Sequence, residues 1–219
     1  FDHIQFVGGM LNGSLVKTRA LYRGIMEDIY STYSNTSVST VFPFTDVAET
    51  RWSYPYIKEL YDAGVVSGTS ATTFSPAANV TRAQFVTMLA GLAGADVSNC
   101  PATPFRDVPE GAWYAPYVNW ALANGIVSGT SAVTFSPDAS ITRQDMAVML
   151  YSYTQRFQVH LQQQQPVKPF TDAGSIAAYA QIAVQTLQRA GVISGMPDGS
   201  FQPYGTATRE QACTMLCML

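Results

Sequence analysis

Twelve residues of this 219-residue chain are lysine or arginine, and three of them hold one shared position: Arg82, Arg143 and Arg209 each follow a threonine, at Thr81, Thr142 and Thr208. A threonine ahead of an apolar run at helical spacing is a helix-start signal. Each guanidinium is therefore expected at the first turn of a helix. There the helix dipole and unpaired N–H groups favour an anion, and the guanidinium adds a planar fork matched to a carboxylate. The chain thus carries three candidate anion sites. Asp46, Asp107 and Asp172 share a second position; Trp52, Trp113 and Tyr179 share a third, where an aromatic face can stack on a sugar ring. Gly68, Gly129 and Gly195 share a fourth, in a loop whose backbone N–H groups glycine leaves unobstructed. The same residues admit a structural reading. Each Arg would pair with the Asp of its own repeat as a strut, each aromatic would belong to the core, and the Asp would cap the helix leading to the aromatic. The residue types leave both readings open.

Catalysis has little to work with. The two histidines, His3 and His160, lack metal-ligand spacing, and neither stands near a repeated Ser or Cys as a general base. The acidic residues form no pairs beyond one Asp per repeat. Cys100, Cys213 and Cys217 are odd in number and unpatterned, which argues against a disulfide framework; Cys213 and Cys217, four apart, read as small core residues on a helix face. Asp198-Gly199 lacks the alternating ligands and terminal Glu of a calcium loop, and no phosphate-loop or dinucleotide fingerprint occurs. No enzyme, metal or cofactor is expected. A net charge of −3 gives no footprint for nucleic acid. No stretch approaches the ~20 apolar residues of a membrane span, and no signal peptide is visible. Charged residues make up 12% of the chain, against roughly 25% in an average soluble domain. Ser, Thr, Asn, Gln and Ala must cover much of the surface, a composition that suits the cell exterior.

The elements that must position these residues are written three times. Each copy runs Phe-x-Asp, an aromatic, Gly-x-x-x-Gly, Phe-x-Pro, Thr-Arg: Phe44 to Arg82, Phe105 to Arg143, Phe170 to Arg209. The step from the second Gly to Phe is six residues in every copy, and from Pro to Thr five. From Asp to the first Gly it is 18, 18 and 19, so the third copy carries an insertion near Tyr179. Trp52, Tyr56, Ile57, Leu60 and Tyr61 recur at helical spacing before Gly64, a residue fit to end a helix. Equivalent patterns end at Gly125 and Gly191. A loop follows, with Phe74, Phe135 or Phe201 expected to plug it into the core. A second helix then begins at the threonine. Thr81 with Gln84 and Thr208 with Gln211 form capping boxes, whereas Thr142 faces Asp145. Behind each cap lies an apolar face: Phe85, Met88, Leu89 and Leu92; Met146, Met149, Leu150 and Tyr153; Ala212, Met215, Leu216 and Leu219. One helix–loop–helix unit is too small to bury both faces alone, so neighbouring units must supply the missing contacts. The fold class is all-α, divided as an N-terminal helix and linker over 1–41 and repeats over 42–100, 101–165 and 166–219. The stretch over 14–33 is read as an extra helix packing on the repeats or as the tail of an upstream domain, with a polar linker over 34–40 and a second linker at Gln162–Gln165 before Pro166.

The combination Phe-x-Asp-Val … Trp … Gly-(Ile/Val)-(Val/Ile)-x-Gly … Phe-x-Pro … (Val/Ile)-Thr-Arg resembles the S-layer homology (SLH) domain family, in three tandem copies over residues 42–219. The resemblance implies a pseudo-threefold, three-pronged helical cluster whose inter-repeat grooves bind secondary cell-wall polysaccharide carrying a pyruvate ketal on N-acetylmannosamine. It implies non-covalent anchoring of an exported protein to a Gram-positive-type wall or S-layer, with the cargo domain outside these residues. The pyruvate carboxylate would be the anionic partner of Arg82, Arg143 and Arg209. The chain departs from the pattern in the third copy, which has Ala173 in place of Val and Tyr179 in place of Trp, so a groove built on it is expected to be weaker. Where the family often continues Thr-Arg-Ala-Glu, the chain has Gln84, Asp145 and Gln211 in the last place. A protein-docking or self-assembly module of a surface layer is the alternative function. A third is an enzyme, with residues 1–40 the remnant of a larger catalytic domain.

Overall fold

A computed structural model describes residues 42–162, 166 and 168–219; the helix and linker expected over 1–41, and Gln163–Gln165, lie outside the described residues. Six α-helices follow one another: α1 Tyr54–Asp62, α2 Arg82–Ala93, α3 Ala115–Ala123, α4 Arg143–Arg156, α5 Gln181–Arg189 and α6 Arg209–Cys217. Two 3-10 turns, Ala173–Ser175 and Ala178–Ala180, precede α5. No strand forms among the described residues, as the all-α expectation required.

Local chemistry sets the boundaries. Proline in the first turn opens α1 and α3, where its missing N–H costs nothing. The left-handed glycines Gly64, Gly125 and Gly191 follow the last residues of α1, α3 and α5. Thr81, Thr142 and Thr208 are the N-caps of α2, α4 and α6, each hydroxyl accepting the N–H of the residue three further on. The two capping boxes form where Gln84 and Gln211 reach back, and none forms at Asp145.

The first and second helix of one repeat are not packing partners. Instead α2 packs on α3, α4 on α5 and α6 on α1, so the second helix of each repeat covers the first helix of the next, and the third repeat closes on the first. The backbone follows the same cycle. Ile141 donates its N–H to the Val80 carbonyl, Val80 to Ala207 and Ala207 to Ile141, a closed triangle with one fully buried residue per repeat. One continuous apolar core results, holding Phe74, Phe135 and Phe201 and the predicted faces of α2, α4 and α6 with almost no exposure. Cys213 lies in that core and burial pushes its thiol up to about 12, so it is unreactive filler as expected; Cys217 and Cys100 are half-buried.

Candidate functional site

The three shared arginines sit at the first position of α2, α4 and α6 and are nearly buried. Neither the strut nor the open helix terminus of the sequence reading describes them. Each lies across the Phe-x-Pro segment of the next repeat. Arg82 Nε donates to the Phe135 carbonyl at 2.8 Å, Arg143 Nε to Phe201 at 2.7 Å, and Arg209 Nε to Phe74 at 2.8 Å. Each guanidinium also stacks on that phenylalanine ring, at 4.9, 5.1 and 4.4 Å from the centroid. Arg209 and Arg143 spend a further N–H on the carbonyls of Ser67 and Ser194. The helix-start N–H groups are equally occupied. Arg82 and Ala83 donate to Ala139 and Pro137, Arg143 and Gln144 to Gly205 and Pro203, Arg209 and Glu210 to Ala78 and Pro76. The anion cradle expected from free helix-start amides is therefore filled by the neighbouring repeat, and only the guanidinium edges remain for a ligand. Burial lowers the pKa of all three guanidiniums, opposed at Arg82 by Asp145 and at Arg143 by Asp172.

The repeated aspartates act on the same peptide unit from its other end. Asp46 accepts the N–H groups of Phe74 and Ser75 at 2.8 and 2.7 Å, Asp107 those of Phe135 and Ser136, and Asp172 those of Phe201 and Gln202. The middle residue of each Phe-x-Pro has a left-handed φ, at 58°, 58° and 56° for Ser75, Ser136 and Gln202. Such a conformation costs a non-glycine residue about 1 kcal/mol or more, and the doubly bonded carboxylate holds it. Asp46, Asp107 and Asp172 thus neither pair with the arginine of their own repeat nor cap a helix. The loop glycines also have a structural reason. A Cβ at Gly129 would stand 2.6 Å from the Phe105 ring and from the Thr134 carbonyl, and Gly68 and Gly195 face Phe44 and Phe170 in the same way.

The aromatics are not core. Trp52, Trp113 and Tyr179 are 55%, 58% and 61% exposed and stand just before α1, α3 and α5 rather than on them. Two grooves bring them to the arginines. One, of about 350 Å³, is lined by Arg209, the Ser67-Gly68-Thr69 loop, Gln84, Thr87 and Met88 of α2, and Trp113. The other, of about 650 Å³, has the same construction one repeat on, from Arg82, Ser128-Gly129-Thr130, Asp145, Val148 and Met149 of α4, and Tyr179. Each groove takes its guanidinium from one repeat, its loop and wall from the next, and its aromatic from the third. Arg143, Gly195, Gln211 and Trp52 occupy the corresponding sequence positions for a third such set. Two side chains that sequence reading passed over hold the aromatic segments. Glu210 accepts from Arg51 and Ser53 on either side of Trp52, at 2.8 and 2.6 Å, and Gln144 accepts the N–H of Ala177 near Tyr179. The signal was their shared position after Thr-Arg, where the first repeat has the short Ala83.

The grooves differ at the third residue of the wall helix. Gln84 is folded back on its own cap. Asp145 turns outward, 3.6 Å from Arg82 Nη1, and accepts a 2.7 Å hydrogen bond from the Tyr179 hydroxyl. Burial, followed by the bond to and charge of Asp145, pushes the Tyr179 phenol up to about 12, so it stays a donor.

Three segments of the chain, 43–86, 104–147 and 169–213, match the S-layer homology domain. Among curated proteins the chain is 38% identical over 206 residues to an endoglucanase of Bacillus sp. (strain KSM-635), covering 94% of this chain and 22% of that protein. It is 28% identical to a cellulosome-anchoring protein of Acetivibrio thermocellus, over 70% of this chain and 35% of that one, and 26% identical to an S-layer protein of Bacillus thuringiensis subsp. finitimus, over 79% and 21%. The chain thus spans about a third or less of the length of each of these relatives. With the family's segments covering well over half of its residues, this chain belongs to the S-layer homology domain family.

Proposed function

We propose that this chain is the wall-anchoring module of an exported protein, and that it binds pyruvylated secondary cell-wall polysaccharide in its inter-repeat grooves. The observation that carries the reading is the convergence of an arginine, a glycine loop and a solvent-facing aromatic from three different repeats on one groove. An exposed tryptophan contributes little to stability, and aromatics are typical binding anchors. The apolar face of a sugar ring stacks on such a ring, while the guanidinium meets the ketal carboxylate. The relatives agree with this reading: one is an S-layer protein, another a cellulosome-anchoring protein, and the endoglucanase devotes most of its length to something other than this segment. Among the described residues no helix is long and apolar enough to cross a membrane. The anchoring role is non-catalytic, and any cargo lies in another part of the whole protein.

The test is a calorimetric titration of the chain with synthetic pyruvylated N-acetylmannosamine and with the same sugar lacking the ketal. The expected result is saturable binding of the first only, accompanied by retention of the chain on isolated walls until pyruvate is removed. Equal binding of both sugars, or of neither, overturns the reading.

A further inference from the structure

Two grooves of the same construction differ in one charge. In the groove walled by α2, the Arg209 guanidinium has Nε and Nη2 bonded to carbonyls, and Gln84, the third residue of the helix, is neutral and folded back on Thr81. In the groove walled by α4, the third residue is Asp145, and its carboxylate lies beside the guanidinium edge that the neighbouring backbone leaves free, with Oδ2 at 3.6 Å from Arg82 Nη1. Its other oxygen accepts the Tyr179 hydroxyl at 2.7 Å, which fixes the carboxylate across the groove between the arginine and the aromatic. The Arg82 side chain is 7% exposed and that of Asp145 28%, so the pair is screened only partly by water. An incoming carboxylate would have to displace Asp145 from Arg82 and would meet a like charge at a few ångström.

We propose that Asp145 is an internal counter-anion that closes the Arg82 groove to acidic sugar, so that the two grooves are unequal in ligand charge and the Arg209 groove takes the anionic end of the glycan. The Asp145–Arg82 pair stands where a ligand carboxylate would stand, and Tyr179 donates to it as it would to that ligand. The volume agrees: the Arg82 groove is the larger of the two, so size does not exclude the sugar. The corresponding residue of α6 is Gln211, folded back on Thr208 like Gln84, so Asp145 is the exception among three equivalent positions. The proposal rests on the anionic-glycan reading above and adds the identity of the residue that selects among grooves.

The experiment is calorimetric stoichiometry of the whole chain with pyruvylated N-acetylmannosamine, for the native protein and for Asp145→Gln and Asp145→Glu. Asp145→Gln installs the residue that the other two repeats already carry, so the fold has precedent for it. The expected result is one additional pyruvylated sugar bound per chain in Asp145→Gln. Asp145→Glu, which keeps the charge, should keep the native number. A native stoichiometry in Asp145→Gln overturns the counter-anion proposal while leaving the glycan reading intact. So does a gain in Asp145→Glu, which would make the effect steric, or a ligand seen against Arg82 in crystals of the native protein. Absence of binding in the native protein and in every variant overturns the glycan reading and the proposal with it.

Discussion

At the level of single residues, the arginines that look most like ligand contacts are also the residues that hold the repeats together. Removing Arg209 would leave the Phe74 and Ser67 carbonyls without their charged donor and uncover the Phe74 ring, a loss of about 1.5–3 kcal/mol for a hydrogen bond to a charged group. Replacing all three at once threatens the fold, and a loss of wall retention would then say nothing about binding. The tryptophans separate the two roles. Trp113 is 58% exposed and lines the Arg209 groove, so Trp113→Ala should change stability by no more than about 0.5 kcal/mol. Affinity for pyruvylated N-acetylmannosamine should fall about tenfold or more, which is the order of losing one anchoring contact worth about 1.4 kcal/mol. Denaturant titration and calorimetry on the same preparation check both halves. The sequence offered these residues with two roles each. The structure gives Asp46, Asp107 and Asp172 a third role, which sequence spacing could not reveal. Their partners are backbone N–H groups almost thirty residues away, and a backbone donor has no letter in the sequence.

Elements were more legible than contacts, because helix starts and stops are local chemistry. Thr81 with Gln84 and Thr208 with Gln211 announce the beginnings of α2 and α6, and Gly64, Gly125 and Gly191 the ends of α1, α3 and α5. The buried faces of α2, α4 and α6 follow from spacing alone. Spacing alone places Trp52 and Tyr179 in the helix pattern, because they stand one turn upstream of an apolar stripe. The chain is not helical there: Pro55 opens α1 only after Trp52, and a 3-10 turn precedes α5. Which helices pack together was not legible either, since an apolar stripe does not name its partner. The capping chemistry is nevertheless quantitative. Thr208 closes a reciprocal box with Gln211, and α6 has only nine residues over which to recover the loss. Thr208→Ala should therefore cost about 1 kcal/mol, a drop of about 2–4 °C in melting temperature for a body of this size, with sugar affinity unchanged because the hydroxyl faces the helix start. Thermal melts followed by far-ultraviolet circular dichroism report it.

For the molecule as a whole, closure of the ring decides how it unfolds. In an open solenoid each repeat contacts only its neighbours and stability is roughly a sum along the chain. Here the first repeat meets the last through α1 and α6, through Arg209 and Phe74, and through Glu210, whose carboxylate binds both Arg51 and Ser53 from 159 and 157 residues away. Each repeat packs on both of the others, so loosening any one junction exposes surface on two of the three. Glu210 makes this testable. Burial alone would raise its pKa, but the bonds from Arg51 and Ser53 and the charge of Arg51 outweigh it and hold the carboxyl below the ordinary glutamate value. A carboxyl depressed in the folded state contributes stability that is fully present above its unfolded pKa of about 4.3 and disappears as pH falls through the lower, folded value. The native protein should therefore lose stability toward acid more steeply than Glu210→Gln. The variant should be weaker at neutral pH by about 1–2 kcal/mol, the order of a charge-assisted hydrogen bond, and the two should converge below pH of about 4. Asp96 and Asp198, held low by Ser98 and Ser200, titrate identically in both proteins and cancel in the difference. Because the pair joins the two ends of the ring, the loss should be global. Fluorescence of Trp52 alone and of Trp113 alone, in variants lacking the other tryptophans, should give coincident urea transitions that shift together in Glu210→Gln. A shift confined to Trp52 would mean that the repeats unfold separately and that the closed cycle of contacts does not make them one cooperative unit.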